Sequence, residues 1–590
     1  MSSLIPQINT FSIKNTQNIH FDKQSKSENP AQKPAQKSAL DEQYELSNML
    51  TTNVLAQFIR RAERAKPVNL LEPLERFEWK NDLRTLIQDN KAVIWAMVPR
   101  TFNAVDRDRN DLIQKGEEKG TFLNAIGRLD ELVALGVNTL HVLPIHPPGE
   151  INALGLSGSV YAPLDLLEID PELRDPHNPR NVKDQFKIFI DACHKKGIRV
   201  MLDLPSCASC DMFEAKPELM AYERNGEAKT PQGWNDIRMF EPWHDETKKE
   251  LNPHLIELHK KYVDMCIDLK IDGIRADVAR AKPTEFWDII IPYSRSKDPN
   301  FAWLAETYTY EDASPQLNMM YDRPKDSLKA GFDTYYGQYH IFNEWTSAKE
   351  FIDYVKMNLE MSQEEGLDAK KSLIGSFATH DDLSPMYHGG VDYCNLTTGL
   401  QATLPMLNPY FLDGFQSGDK YRYRYENAKT RELSHEDRKH DVHRGKLDIF
   451  NHSRKPGGEN PEIGEFMKST MKTRKQYEDI ITKGSFIPLK TDENANDQII
   501  AYARHLNGKT LIIIANRDVN NRQKGLVEVP GLKAGTKLTN LTAKYGQNSY
   551  FQVSKDDKIS VDMGKARFHM FEVNTPDIEN SGLEVLKQKL

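Results

Sequence analysis

The segments Ile271–Asp277 (IDGIRAD), Phe301–Glu306 (FAWLAE) and Ser376–Asp381 (SFATHD) each run through apolar residues and end on an acid. Apolar runs this short read as buried strands of a parallel sheet. A carboxylate closing each of three separate strands predicts acids gathered at one end of a (β/α)8 barrel, the end where that architecture keeps its chemistry. Acids aimed at one cavity are costly to hold together unless a reaction uses them.

Arg275 and Asp277 are two residues apart, so on a strand they project from the same face. A guanidinium beside a carboxylate favours the ionised form, which suits a nucleophile. Glu306 follows Trp303, Leu304 and Ala305. Apolar surroundings favour the protonated form that a general acid needs. One ionised and one protonated carboxyl is the pair that cleaves a glycosidic bond, with a separation of about 5–5.5 Å where configuration is retained. Taken singly, an Arg-x-Asp on a strand also reads as a structural ion pair, and a strand-end Glu as a solvated residue. Three such segments in order point to a site.

These segments resemble the α-amylase family, glycoside hydrolase family 13. Gly273, Arg275 and Asp277 match its fourth-strand motif Gly-x-Arg-x-Asp, Glu306 its fifth-strand acid, and His380–Asp381 its seventh-strand pair. The resemblance implies Asp277 as nucleophile, Glu306 as acid/base and Asp381 as stabiliser of the oxocarbenium-like transition state, with His380 on the same sugar. Gly120–Gly149 resembles the first barrel helix and second strand, with Gly136 as the helix stop. Gly158–Asp165 (GSVYAPLD) resembles the loop that sets a tyrosine, Tyr161, under the sugar, and Gln401–Asp419 the eighth strand with its loop. Arg275, His380, Tyr161 and Asp203 are thus the expected substrate-binding residues, although a tyrosine in such a loop is as often plain packing.

One strand departs from the family. Its third strand normally ends Asp-x-x-x-Asn-His, where the Asn often helps bind calcium and the His meets substrate. Gly197–Ala208 reads GIRVMLDLPSCA, which keeps Asp203 but puts Cys207 and Ala208 at those two places. A thiol is a poor ligand for Ca²⁺, so neither a metal nor any other cofactor is expected. Maltosyltransferases of the family that extend glucans from maltose 1-phosphate also vary this strand and carry a stretch like Leu143–Pro147 (LPIHP). They usually lack the histidine kept here as His380, which leaves the subfamily open. Cys207 and Cys210 form a lone Cys-x-x-Cys with no second pair to complete a zinc site, and read as two ordinary thiols.

The 590 residues suit one barrel plus accessory parts. With 78 Lys and Arg against 86 Asp and Glu, the net charge of −8 gives no reason to expect nucleic acid or an anionic membrane as partner. Five cysteines make no disulfide framework, and no apolar stretch approaches membrane-spanning length. The opening residues MSSLIPQINTFSIKNTQ lack a basic region followed by an apolar core, so a cytoplasmic location is expected.

Residues 1–42 are polar, with PAQKPAQK a near-repeat, and read as a disordered tail. Residues 43–90 carry a loosely amphipathic helical pattern and are expected to pack outside the barrel, or else to bind a partner. Residues 91–483 alternate strands and helices as the barrel, interrupted after strand three by a turn-rich insertion, about 205–245, in which Trp234 is placed to stack on a sugar or to anchor the fold. The charged stretch 417–458 reads as a solvated loop or a cover for the site. Residues 484–574 change to short strands with an Asn507–Gly508 hairpin turn, predicting a C-terminal antiparallel β-sandwich, and 575–590 form a tail with a short helix. Three functions fit: a retaining hydrolase of α-glucans or maltooligosaccharides, a transglycosidase sharing its first half-reaction, and a catalytically inactive binding protein.

Overall fold

The computed structural model describes residues 74–588, apart from 106, 108–112, 155–157, 232–233, 308–323, 365, 368–369, 421–429, 432–459, 493–496, 543–549 and 576–577. Expectations for residues 1–73 and for nearly all of the charged stretch 417–458 lie outside the described residues.

Seven strands pair in sequence order, each parallel to the last: β1 (Ile94–Met97), β2 (Thr139–Val142), β3 (Arg199–Leu204), β4 (Gly273–Ala276), β5 (Ala302–Ala305), β6 (Thr334–Tyr335) and β7 (Ser372–Ile374). Two short strands, β8 (Leu407–Asn408) and β9 (Tyr410–Leu412), finish the sheet on either side of Pro409. β8 pairs with β7, and β9 pairs with β1. Pro409 has no N–H to give to the ladder, yet its carbonyl accepts from the Ile94 N–H at 2.8 Å. The eighth position of the barrel is therefore one chain segment interrupted at a proline, and the barrel is closed. Runs such as IWAM and AWLA are buried throughout because one face fills the barrel and the other meets the helices. Those helices include Val182–Lys195, Pro253–Leu269, Thr284–Lys297 and Ala348–Met361. Gly136 follows the earlier helix Leu129–Ala134 at φ +86°, the left-handed stop expected of it.

The described part of segment 43–90 forms one helix, Leu83–Gln88. Its Leu83 and Ile87 join the barrel's interior cluster with Ile94, Met201, Leu304 and Ile374, rather than lying outside the barrel. The Ile87 carbonyl accepts from Asn408 Nδ2 at 3.0 Å, so this helix closes the N-terminal ends of the strands and leaves the opposite end for chemistry.

After β3, Cys207–Ser209 pairs antiparallel with Ile237–Met239 within the expected insertion. The last barrel helix, Pro461–Gln476, starts with proline in its first turn; Asn460 before it does not cap it with its side chain, whose Nδ2 donates to the Ser417 carbonyl at 3.0 Å.

Two antiparallel four-stranded sheets follow. One contains β10 (Ser485–Pro488), β11 (Ile499–Leu506), β12 (Lys509–Asn516) and β17 (Arg567–Val573); the other contains β13 (Gln523–Glu528), β14 (Lys537–Thr539), β15 (Tyr550–Lys555) and β16 (Lys558–Met563). Asn507 and Gly508 both take positive φ in the β11–β12 turn, as a two-residue hairpin requires. The continuous run Leu511–Ala515 has a simple cause. Ile512 and Ile514 face the second sheet, while Leu511 and Ile513 face the barrel's core, so both faces of β12 are buried. Gly399, on the helix Pro385–Thr403, lets Phe568 of β17 come so close that an added Cβ would lie 2.3 Å from the ring. The expected terminal helix is only a single turn, Ile578–Asn580. Among the described residues no helix is long and apolar enough to cross a membrane.

Candidate active site

Strand register decides the centre of the site. Asp203 on β3 and Arg275 on β4 are direct neighbours in the parallel pair, both point into the barrel, and both are fully buried. Arg275 Nη1 donates to Asp203 Oδ1 at 2.9 Å and to Asp277 Oδ1 at 2.8 Å, while Nη2 lies 2.8 Å from Glu306 Oε2 as an ion pair. One guanidinium thus links three carboxylates from three adjacent strands. Arg275 and Asp277 share a face, as their two-residue spacing requires.

Beneath Arg275 lies a buried polar network. Tyr161 OH donates to Asp203 Oδ2 at 2.7 Å, and His141 Nε2 sits 3.0 Å from the same oxygen. His141 Nδ1 is 2.9 Å from Tyr410 OH, so the imidazole bridges β3 and β9 across the barrel. Burial pushes the Asp203 carboxyl up, but Arg275 and the His141 hydrogen bond outweigh it and hold the group below its ordinary value. Asp203 and Arg275, both fully buried, hold the residues above through these contacts.

Those residues are Asp277 and Glu306, each 7% exposed. Asp277 Oδ2 accepts from the Ser206 N–H at 3.0 Å and from Ser206 Oγ at 2.8 Å. Glu306 Oε2 accepts from the Val278 N–H at 2.7 Å. Val278 adopts φ +37°, a left-handed conformation that a β-branched residue takes only under constraint. That conformation turns its N–H toward Glu306. Burial raises the Glu306 carboxyl to about 7, with Asp277 and Asp381 adding to it and Arg275 opposing. The surroundings of Asp277 and Glu306 are therefore unequal: one carboxylate accepts two hydrogen bonds from Ser206 and one from Arg275, and the other is poised to keep its proton near neutrality.

His380 and Asp381 arrive differently. β7 ends at Ile374, so the expected strand-end placement of Asp381 does not hold; the pair stands on a turn well beyond the strand. Gly375 follows β7 directly, with an added Cβ placed 2.2 Å from Gln401 Oε1, and the chain leaves the sheet there. His380 stacks on Tyr161, ring centroids 5.4 Å apart and planes 6° apart, with Nε2 at 2.9 Å from Tyr161 OH and 3.3 Å from Asp381 Oδ2. Because Tyr161 donates its proton to Asp203, Nε2 is the protonated nitrogen of His380. The expected set Asp277, Glu306, Asp381, Arg275, His380, Tyr161 and Asp203 converges on one end of the barrel. Asp381 joins through its turn and its charge on Glu306.

Sequence reading missed His141, Ser206 and Val278. His141 lies inside the apolar run TLHVLPI, where a single polar residue at the barrel-facing period was the available signal. Val278 acts through its backbone N–H, and Ser206 through its N–H and hydroxyl together, in a loop geometry that no spacing reveals.

The geometry accords with what the chain resembles. No protein-family model matches it. A maltose-1-phosphate maltosyltransferase from Streptomyces coelicolor is 22% identical over 489 residues, covering 78% of this chain and 65% of that protein. A maltogenic α-amylase from Bacillus acidopullulyticus is 24% identical, covering 68% and 63%. Its homologues are α-amylase family enzymes. The chain spans less than two thirds of the length of these curated relatives. The fold is the α-amylase fold: a solved maltogenic α-amylase from Thermotoga neapolitana superposes with a TM-score of 0.58 at 19% identity, over 83% of this chain and all of that one.

The calcium site of that family does not fit the residues present. The thiol of Cys207 stands where the oxygen ligand belongs, packed among Ala162, Ala221, Ile237 and Met239. Trp234, half-buried, packs on the same cluster. Among the described residues no group of three or more His, Cys, Asp or Glu side chains is arranged to hold a metal. Cys207 and Cys210 are both buried free thiols, and burial raises that of Cys210.

Proposed function

We propose that the chain is a retaining, α-glucan-active enzyme that cleaves α-glycosidic bonds through a covalent glycosyl-Asp277 intermediate. The observation that carries this reading is the Arg275 guanidinium between Asp277 and Glu306, two carboxyls in unequal surroundings at the open end of a barrel. In the first step an Asp277 oxygen attacks the anomeric carbon while Glu306 passes its proton to the departing glycosidic oxygen. In the second, Glu306 takes a proton from the acceptor hydroxyl, which displaces Asp277 and restores both groups. Asp381 sets its charge near the carbon that becomes cationic, and the stacked His380 and Tyr161 rings form the wall beside it.

A maltosyl- or glucosyltransferase is the second reading, favoured by several relatives that are maltose-1-phosphate maltosyltransferases and by the LPIHP stretch. It differs only in the acceptor, a sugar hydroxyl in place of water. We place the protein in the cytoplasm, where five buried free thiols are stable.

Product analysis with maltooligosaccharides, with and without maltose 1-phosphate or sucrose, tests these readings. Shorter products indicate hydrolysis and longer chains indicate transfer. D277N is expected to lower kcat by roughly 10⁴-fold or more while remaining folded. Full activity in D277N would refute the assignment, and no turnover by the wild type with any donor would favour a binding protein.

A further inference from the structure

Ser206 holds Asp277 with both its N–H and its hydroxyl, and the carbonyl of the same residue accepts from Lys282 Nζ at 3.4 Å. Lys282 follows the short turn Ala279–Ala281 that leads away from Asp277, and it is 3% exposed. A buried ammonium is costly unless its surroundings answer the charge. Among the described residues no carboxylate pairs with it directly. The groups that face it are Asp277 from the β4 loop, Cys207 from the strand after β3, and His259 from the helix Pro253–Leu269. The Phe240 ring lies 5.6 Å from the ammonium, a cation–π contact. A cation kept in this place, with its hydrogen bond on the carbonyl of a residue that grips Asp277, is poorly explained by stability alone.

We propose that Lys282 is a positioning residue for Asp277: its fixed ammonium anchors Ser206 through that residue's carbonyl and supplies there the positive charge that the α-amylase resemblance would assign to a bound calcium ion. The proposal rests on the reading of Asp277 as nucleophile. It also accounts for Cys207. Once a lysine carries the charge, the neighbouring position needs no oxygen ligand and is free to become a small buried apolar residue.

The charge has a pH range. Burial lowers Lys282 to about 8, against the opposing pull of Cys207 and Asp277. The ammonium is therefore present below that pH and lost as pH rises through it. His259, lowered to about 3 by burial with the Lys282 charge adding, stays neutral across this window. Glu306 gives up its own proton near 7. Log kcat/KM of the wild type should thus fall with a slope of one above about pH 7, and steepen toward two over roughly one to two pH units above about pH 8.

The test uses the full chain on maltooligosaccharides, comparing wild type, K282M, K282R, S206A and D277N for kcat, KM and pH profile. K282M and S206A are expected to lower kcat by roughly 10- to 100-fold, with KM changed less than about twofold. K282R should recover most of the loss, and K282M should keep only the break near 7. The wild type should be indifferent to chelator and to added calcium. An inactive D277N beside a K282M of wild-type rate, or a second break that persists in K282M, would overturn this proposal and leave the nucleophile reading standing. So would activity abolished by chelator and restored by calcium. Should K282M fail to fold, a wild-type profile with no second break overturns it as well. An active D277N removes both readings together.

Discussion

The acids after β4 and β5 and the acid beyond β7 meet at one site by different means. Asp277 and Glu306 are still on the ladder: the Asp277 N–H donates to the Leu204 carbonyl at 3.0 Å, and the Glu306 N–H to the Ala276 carbonyl at 3.1 Å. Strand register sets their positions, and their side chains are 8% and 9% exposed. Asp381 stands on a turn tied by side chains, where the Thr379 N–H and hydroxyl donate to Asp382 at 2.9 and 2.8 Å; its own side chain is 31% exposed. Parts that must keep a sub-ångström relation through two chemical steps are built on the sheet, and the part that meets a passing charge is built on a turn.

Removing the centre of the ladder-held half should cost most. R275M leaves Asp203, Asp277 and Glu306 without their shared cation, so a loss of about 3–5 kcal/mol in urea unfolding is expected together with loss of activity. E306Q separates chemistry from folding. Its kcat/KM should fall by about 10²–10⁴-fold, and the alkaline limb near 7 should vanish because the titrating proton is gone. The sign for stability follows from the same shift. Glu306 is raised above its ordinary value of 4.5, so the stability it contributes is present at low pH and lost as pH rises through about 7. E306Q should therefore match the wild type in melting temperature at pH 4 and exceed it at pH 8.

On the turn-held side, D381N should lower kcat by about 10²–10³-fold with an unchanged unfolding midpoint. A midpoint that dropped as far as in R275M would erase the distinction between the two halves. H380A should be mildest, losing one neutral hydrogen bond to Tyr161 worth about 0.5–1.5 kcal/mol, with the effect appearing in KM before stability.

Much of this was legible in the chain. Arg275, Asp277 and Glu306 could be placed because period-two alternation and an apolar run determine face and strand end without knowledge of tertiary contacts. The rule failed at Asp381: SFATHD has the composition of a strand end, but β7 stops at Ile374 and the chain leaves the sheet at Gly375, a close approach that only the packed structure reveals. His141 was hidden because a histidine among Leu and Val reads as core, and it is core, with its polar atoms answered by Asp203 and Tyr410. Leu83 and Ile87 followed the expected helical pattern, but amphipathicity says only that a face is buried, not whether it meets the outside of a barrel or its floor.

The two-faced burial of β12 has a consequence for how the protein is made. The last barrel strand ends at Leu412, yet the apolar surface waiting for Leu511, Ile513 and Phe568 belongs to the barrel's own helices and core. On a ribosome adding about 5–20 residues per second, roughly eight to thirty seconds separate the emergence of β9 from that of β17. Through that interval a barrel complete in its strands would carry an uncovered apolar flank. Newly made chains should then depend on chaperones late in synthesis, after the catalytic residues have been translated and before the final sheet arrives to cover them.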